Sequence, residues 1–268
     1  MGFLIKRVIA FLYSIMGISD FLLKRLNNKY ENNYIRVINY HNTLASDAKS
    51  FEKQLVWYKK MFSNIDYYDF KSFMDGKRLG TKKPGIMLTF DDGLDGNYDV
   101  ALPLLNRYGF TGYFFCSSDL IGTKGYMGVK ELLDLEKQEH IIGDHTATHH
   151  RMENDDTVDV LEYEIFASKQ KMEQMLCHSV DIFCWCGGEE DHYTKSAYDV
   201  IKKAGYKYAF MTNSAPVGYG TDKLHIQRIN VEAGWPLSLV KLQVCGFMDK
   251  HFEEKRKRVD EKLKGYIV

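Results

Sequence analysis

The chain lacks net charge, a membrane-length apolar run and a cysteine framework, and each absence removes a class of protein. Thirty-six basic residues balance 36 acidic ones among 268, so no overall field argues for nucleic-acid binding or for steering of a charged partner. The five cysteines, Cys116, Cys177, Cys184, Cys186 and Cys245, are an odd number without the dense spacing of a small secreted disulfide scaffold. They point to reduced thiols and a cytoplasmic setting. Cys184-Trp185-Cys186 has C-x-C spacing and no partner pair, so both thiols are expected to be small buried groups rather than a metal clasp. No internal repeat or low-complexity segment is present.

What is there is an ordinary globular composition, 45% hydrophobic and 27% charged, with one unusual segment at its start. In MGFLIKRVIAFLYSIMGISDFLLKRL the apolar run from Val8 to Ile18 is shorter than the roughly 20 residues of a bilayer span. A basic start and apolar middle give it the look of a secretory signal, yet no small-x-small cleavage site follows. Further apolar residues at Phe21, Leu22, Leu23 and Leu26, with Lys6-Arg7 and Lys24-Arg25, predict an amphipathic helix. It would lie on the inner face of a membrane through residues 3–26, or pack on its own domain or on a second subunit. The chain is thus divided into an amphipathic helical extension, 1–30, and a single domain, 31–268.

That domain alternates strand and helix. Strands are expected at Tyr34–His41, Asn64–Tyr68, Ile86–Phe90, Gly112–Cys116, Ile141–Gly143, Ile182–Trp185, Tyr208–Thr212 and Leu224–Val231. Helices are expected at Phe51–Phe62, Asp69–Met74, Asp99–Tyr108, Gly128–Glu139, Asp159–Met175 and Lys195–Ala204. The charged tail Lys250–Lys264 reads as a solvated terminal helix. This rhythm implies parallel βα units around one sheet or barrel. In a βα barrel the C-terminal strand ends converge on one face, and His41, Asp91, Asp92, His145 and the loop from Cys186 all lie just past predicted strands.

Two stretches there carry chemistry. LTFDDG sets Asp91 and Asp92 side by side at a strand end, where like charges repel unless something cationic is near. GDHTATHH spaces His145 and His149 four apart, which on a helical turn puts both imidazoles on one side, within reach of a shared divalent cation. An oxygen ligand such as Asp92 would complete a His/His/Asp face with open positions for water and substrate. Such a face suits Zn²⁺, with Co²⁺, Ni²⁺ or Fe²⁺ as replacements.

LTFDDG followed some fifty residues later by HTATH resembles the motif pair of the NodB-homology polysaccharide deacetylases, carbohydrate esterase family 4. The resemblance runs from about Tyr34 to Val231, taking in FEKQLVWYKKMF, YGFTGYFF and AGYKYAFMT. It implies a distorted (β/α)₇ barrel and metal-dependent removal of N-acetyl, sometimes O-acetyl, groups from sugars. By position, Asp91 would be the general base, and Asp92, His145 and His149 the metal ligands. The metal would polarise the acyl oxygen and acidify a water from which Asp91 takes a proton. Thr146 and Thr148 would shape the loop.

Two family motifs are altered. The third, commonly Arg-x-Pro-Tyr/Phe-Gly, reads Cys184-Trp185-Cys186-Gly187-Gly188, without the Arg that orients the base. Arg228 is the replacement expected from a later strand. The fifth, usually Leu-x-His, supplies the general acid; only His225 stands nearby, at the start of its strand. His41, Trp185 and Gly187 are expected to contact substrate. The implied substrate is an acetylated amino sugar, free, polymeric or lipid-linked, in surface-glycan metabolism. Hydrolysis of another C–N bond such as a formamide, or a non-catalytic glycan-binding barrel, would use the same scaffold.

Overall fold

The structure, a computed structural model, describes residues 3–264. The first two residues of the 1–30 extension and the last four of the 31–268 domain lie outside the described residues. Among the described residues nine strands form one parallel sheet: β1 (Ile35–Tyr40), β2 (Ser63–Asn64), β3 (Gly85–Phe90), β4 (Gly112–Cys116), β5 (Ile141–Asp144), β6 (Ile182–Cys184), β7 (Tyr208–Met211), β8 (Ile226–Gln227) and β9 (Ile229–Asn230). Their order is β8-β7-β6-β5-β4-β3-β1-β9, with β2 also pairing β3. Every residue of β1, β3, β4 and β7 is buried, which is why these strands read as continuous apolar runs rather than as alternation.

Around the sheet run α1 (Phe3–Ile15), α2 (Ile18–Lys29), α3 (Ala48–Met61), α4 (Tyr67–Met74), α5 (Leu102–Tyr108), α6 (Val129–Lys137), α7 (Val158–Leu161), α8 (Ser168–Leu176), α9 (Lys195–Lys203), α10 (Leu237–Val244) and α11 (Glu253–Lys264). The result is the expected distorted (β/α)₇ barrel, nearly closed, as a single domain with helices preceding β1. The two-residue side-chain period of the strands divides the core. Ile35, Val37, Met87, Tyr113, Phe115, Ile182, Cys184, Phe210 and Ile226 make a smaller cluster inside the barrel. Ile38, Tyr40, Leu88, Phe90, Phe114 and Phe183 face outward onto the helices in the larger one.

Four local expectations are corrected. The strand expected over Leu224–Val231 is two dyads broken at Arg228, because this one segment serves both sheet edges: β8 pairs with β7 and β9 with β1. The strand expected at Asn64–Tyr68 stops at Asn64, since Asp66 caps α4 by accepting from the Asp69 amide at 2.8 Å. The helix expected over Asp159–Met175 is interrupted by a π-helical stretch, Glu162–Ala167. The tail is not simply solvated: α11 buries Val259 and Leu263, and Arg256 donates to the Asn213 and Ser214 carbonyls at 2.8 and 2.6 Å.

Before the barrel, α1 lays Ala10 against Leu239 and Leu242 of α10, with Ile9 and Tyr13 beside them. Among the described residues no helix is long and apolar enough to cross a membrane.

Candidate active site

The inward-facing series fixes which side chains meet. Continuing Val37-Asn39 gives His41; Met87-Thr89 gives Asp91; Ile141-Gly143 gives His145; Ile226 gives Arg228. All of these positions share the barrel-interior parity, so they converge where the strands end. The cleft there measures about 570 Å³ and is lined by His41, Asp91, Asp92, His145, His149 and Trp185 among others. Larger hollows beside Leu26 and His140 do not touch the doublet.

Asp91 is buried and gripped by Arg228 in a two-pronged pair, Nη1 to Oδ1 at 2.6 Å and Nη2 to Oδ2 at 2.8 Å. Arg228 is itself buried, donates to Thr89 Oγ1 at 3.1 Å and lies over the Phe115 ring, 5.5 Å from its centroid. Burial pushes the Asp91 carboxyl up, but Arg228 and His145 outweigh it and the net shift is downward. Burial opposes the Arg228 charge in turn, and Asp91 overcomes it, so the guanidinium is held more firmly than usual. Cys184, where the family's Arg would stand, has its sulfur 3.8 Å from both Asp91 oxygens. Burial raises that thiol to about 11, so at neutral pH it is an uncharged neighbour.

Asp92 turns the other way. Its backbone is left-handed at φ 73°, and Oδ1 lies 3.5 Å from His145 Nε2 and 3.1 Å from His149 Nε2. The histidine loop is not the helical turn expected. β5 ends at Asp144, and Thr146 and His149 sit at φ 67° and 65°, backbone strain that is tolerated where the surroundings over-determine it. The bracing is visible. Thr146 Oγ1 accepts from the His150 amide at 3.1 Å. From the π-helical stretch, Glu164 accepts from the Thr148 amide at 2.9 Å and hydroxyl at 2.7 Å. The i, i+4 spacing thus brings the rings together through a strained loop, with centroids 5.1 Å apart.

The tautomer of His145 follows from its partner. Nδ1 donates to the Cys184 carbonyl at 2.9 Å, which leaves the Nε2 lone pair toward Asp92 when the ring is neutral. Burial opposes charge on His145, and the negative groups facing it, Asp91 and Asp92 among them, outweigh it, raising its pKa well above the ordinary value. Burial likewise raises Asp92, while His145 and His149 pull it far below the usual carboxylate range. Asp92 Oδ1 is buried with no hydrogen-bond partner. An orphaned carboxylate oxygen facing two imidazole nitrogens is a donor set that calls for a cation.

Two other groupings bring ligand atoms close: His145, His149 and Cys186, and Asp91, His145 and Cys184. In both, the donors are spoken for. Asp91 is taken up by Arg228, and Cys186 lies by the Nδ1 side of His145, 3.6 Å away, donating to the His145 carbonyl at 3.4 Å. The residues that fit a divalent metal are therefore Asp92, His145 and His149.

Of the remaining expected residues, His41, Trp185 and Gly187 line the cleft. Trp185 is buried, and Gly187 occupies a left-handed turn at φ 77°, a conformation glycine adopts without strain. His41 Nδ1 lies 3.6 Å from Glu232 Oε1, and that pairing raises its pKa over the opposing effect of burial. His225 is the correction. It precedes β8, pairs with Asp260 and lines a separate hollow with Thr221 and Lys264, away from Asp91 at the opposite end of the barrel strands.

Sequence reasoning missed Lys255, Asn39 and Asn230. Lys255 projects from α11 into the cleft, donates to the Gly188 carbonyl and rides 5.8 Å from the Tyr193 and Phe252 rings. Burial lowers its pKa. Nothing in a charged tail marks one lysine out. Asn39 donates to Asn230 Oδ1 at 2.9 Å, and its parity with His41 was a usable signal.

The polysaccharide deacetylase family model matches residues 78–209, which include the doublet and the histidine pair but stop short of Arg228. The Bacillus subtilis (strain 168) protein YxkH, a candidate polysaccharide deacetylase by its name, is 22% identical over 194 residues, covering 72% of this chain and 68% of that protein. Among solved structures, the Streptococcus pyogenes deacetylase PplD in complex with acetate superposes with a TM-score of 0.69 at 19% identity, over 79% of this chain and 98% of that one. A de-N-acetylase from Aggregatibacter actinomycetemcomitans gives 0.67 at 16% identity, over 78% and 99%. At these identities the superpositions speak for the fold alone. The family match falls on the very residues whose geometry calls for a base beside a metal, and over that stretch the chain is similar to the polysaccharide deacetylases.

Proposed function

We propose that the chain is a metal-dependent carbohydrate deacetylase that removes acetyl groups, N-acetyl above all, from an amino sugar in surface-glycan metabolism. One observation carries this reading: a buried carboxylate, Asp91, is locked by Arg228 next to a separate set, Asp92, His145 and His149, with an unpartnered carboxylate oxygen. A non-catalytic glycan-binding barrel would have no use for a base fixed beside a metal site.

Zn²⁺, or Co²⁺, Ni²⁺ or Fe²⁺, held by Asp92, His145 and His149 would polarise the acyl oxygen and acidify water. The chain's own residues do the rest. Asp91, kept ionised by Arg228, accepts a proton at a carboxylate oxygen facing the cleft. Arg228 fixes the plane of that carboxylate, the role the family's third-motif Arg plays from another strand. The departing amine needs a proton, and His41, biased toward its charged form by Glu232, donates it from the cleft wall. Trp185, Gly187 and Lys255 shape the sugar site.

The test is metal analysis of the purified protein and acetate release from N-acetylated oligosaccharides. Bound metal, acetate release, and a drop of about 10³-fold or more in Asp91→Asn with metal retained are expected. Protein that takes up neither Zn²⁺ nor Co²⁺ would overturn the reading. Formate release from N-formyl substrates without acetate release would move it to another C–N bond.

A further inference from the structure

The α1–α2 hairpin has two faces, and the barrel uses only one. Ile9, Ala10 and Tyr13 turn inward onto α10, and Tyr13 meets Phe247 edge-on at 5.6 Å. On the opposite side Val8, Phe11, Leu12 and Ile15 follow one another at helical spacing, and Met16 and then Phe21 of α2 extend them. These six side chains are 45–65% exposed. A stripe at i, i+3, i+4 and i+7 is the face a helix normally buries.

Charge identifies the occupant. Residues 3–29 contain five basic residues, Lys6, Arg7, Lys24, Arg25 and Lys29, and one acidic residue, Asp20, within a chain that is neutral overall. Asp20 is itself near Lys241 at 3.6 Å. A second copy docking through this face would bring two such basic segments together, at an electrostatic cost. An anionic bilayer surface answers both features, taking the apolar stripe into its headgroup region and the exposed Lys24 and Arg25 against its phosphates. At 13 residues, α1 is too short to span, so it would lie in the plane of the interface.

We propose that the α1–α2 hairpin docks the barrel on an anionic membrane surface. The proposal is independent of the deacetylase reading, since none of these residues lines the cleft. It is tested by co-sedimentation of the full chain with phosphatidylcholine vesicles, with and without phosphatidylglycerol. Binding is expected to the anionic vesicles and to weaken with salt. The pair Phe11→Glu and Ile15→Glu, both at exposed positions, should reduce it by at least about tenfold. Lys24→Glu and Arg25→Glu should each reduce it by about fivefold, with thermal unfolding unchanged in every variant. Three results would overturn the proposal: no binding to either vesicle, equal binding by the Phe11→Glu/Ile15→Glu variant, or a concentration-dependent dimer in sedimentation velocity that these substitutions dissolve.

Discussion

The doublet and the histidine loop reach the cleft by one route, and Arg228, His41 and Lys255 by another. The first group follows two interior strands, β3 and β5, on either side of β4 and inside the stretch the family model matches, and its geometry is set by short local turns. The second is delivered by β1, by the β8–β9 seam that joins the two edges of the sheet, and by the terminal helix α11. The two groups meet in one buried electrostatic unit: Asp91 belongs to the first and its guanidinium partner to the second. A site can keep its metal set in sequence-local motifs while drawing the cation that orients its base from whichever strand shares the interior parity. Cys184 and Arg228 illustrate the exchange, since both point at Asp91 from different strands.

Breaking the pair tests this most severely. Arg228→Met leaves Asp91 as a buried carboxylate without its partner, and loss of about 3–5 kcal/mol of stability is expected. Turnover should fall by about 10³-fold with KM little changed. Arg228→Lys restores a point charge but not the two-pronged fork, so partial recovery of stability and smaller recovery of kcat are expected. Because the lysine variant separates charge from orientation, equal kcat in Arg228→Lys and wild type would remove the positioning role. Placing the cation back on the other strand, as Cys184→Arg in the Arg228→Met background, sharpens the point. Regained turnover would show that only the direction of approach changed.

The matched half has a pH sensitivity of its own that separates scaffold from chemistry. His140, at the start of β5, accepts from the Gly112 amide at 2.9 Å and faces Asn106 Oδ1 at 3.1 Å, and burial lowers its pKa to about 4. The unfolded chain, titrating near 6.5, takes up the proton first. The neutral ring therefore stabilises the fold fully above pH 6.5, and this contribution fades as pH falls toward 4. The full shift corresponds to about 3 kcal/mol. Urea unfolding of wild type and His140→Gln across this range should show a flatter pH dependence in the variant. Parallel curves would exclude His140 as the source.

Legibility followed locality. The strands of the barrel were readable because burial on both faces makes each an apolar run, and the doublet and histidine pair because their spacing is short. The i, i+4 histidines were paired correctly for the wrong local reason. Two left-handed residues, not a helical turn, face the rings together, and no periodicity encodes a strained loop. The π-helical stretch that supplies Glu164 was hidden for a related cause, since one wide turn barely disturbs a helical pattern over Asp159–Met175. Arg228 was reachable through strand parity. His225 was named from motif proximity alone, although its place at the start of a strand set it against the opposite end of the barrel. Lys255 was unreadable, because its place over the cleft depends on how a lysine-rich helix packs against distant elements.

That dependence makes Lys255 the smallest but cleanest probe of the second group. Its amine lies over the Tyr193 and Phe252 rings and donates to the Gly188 carbonyl in the loop that follows β6, and both glycines of that loop line the cleft. Lys255→Met keeps most of the packing volume and removes the charge and the donor. If α11 serves to hold the Gly187-Gly188 loop in its substrate-binding shape, KM should rise about threefold to tenfold, with kcat changed by less than about twofold, which is uniform binding lost rather than chemistry. A fall in kcat at constant KM would instead place Lys255 with Arg228, as a group acting on the reacting atoms, and the division between a metal-bearing half and a shaping half would have to be redrawn.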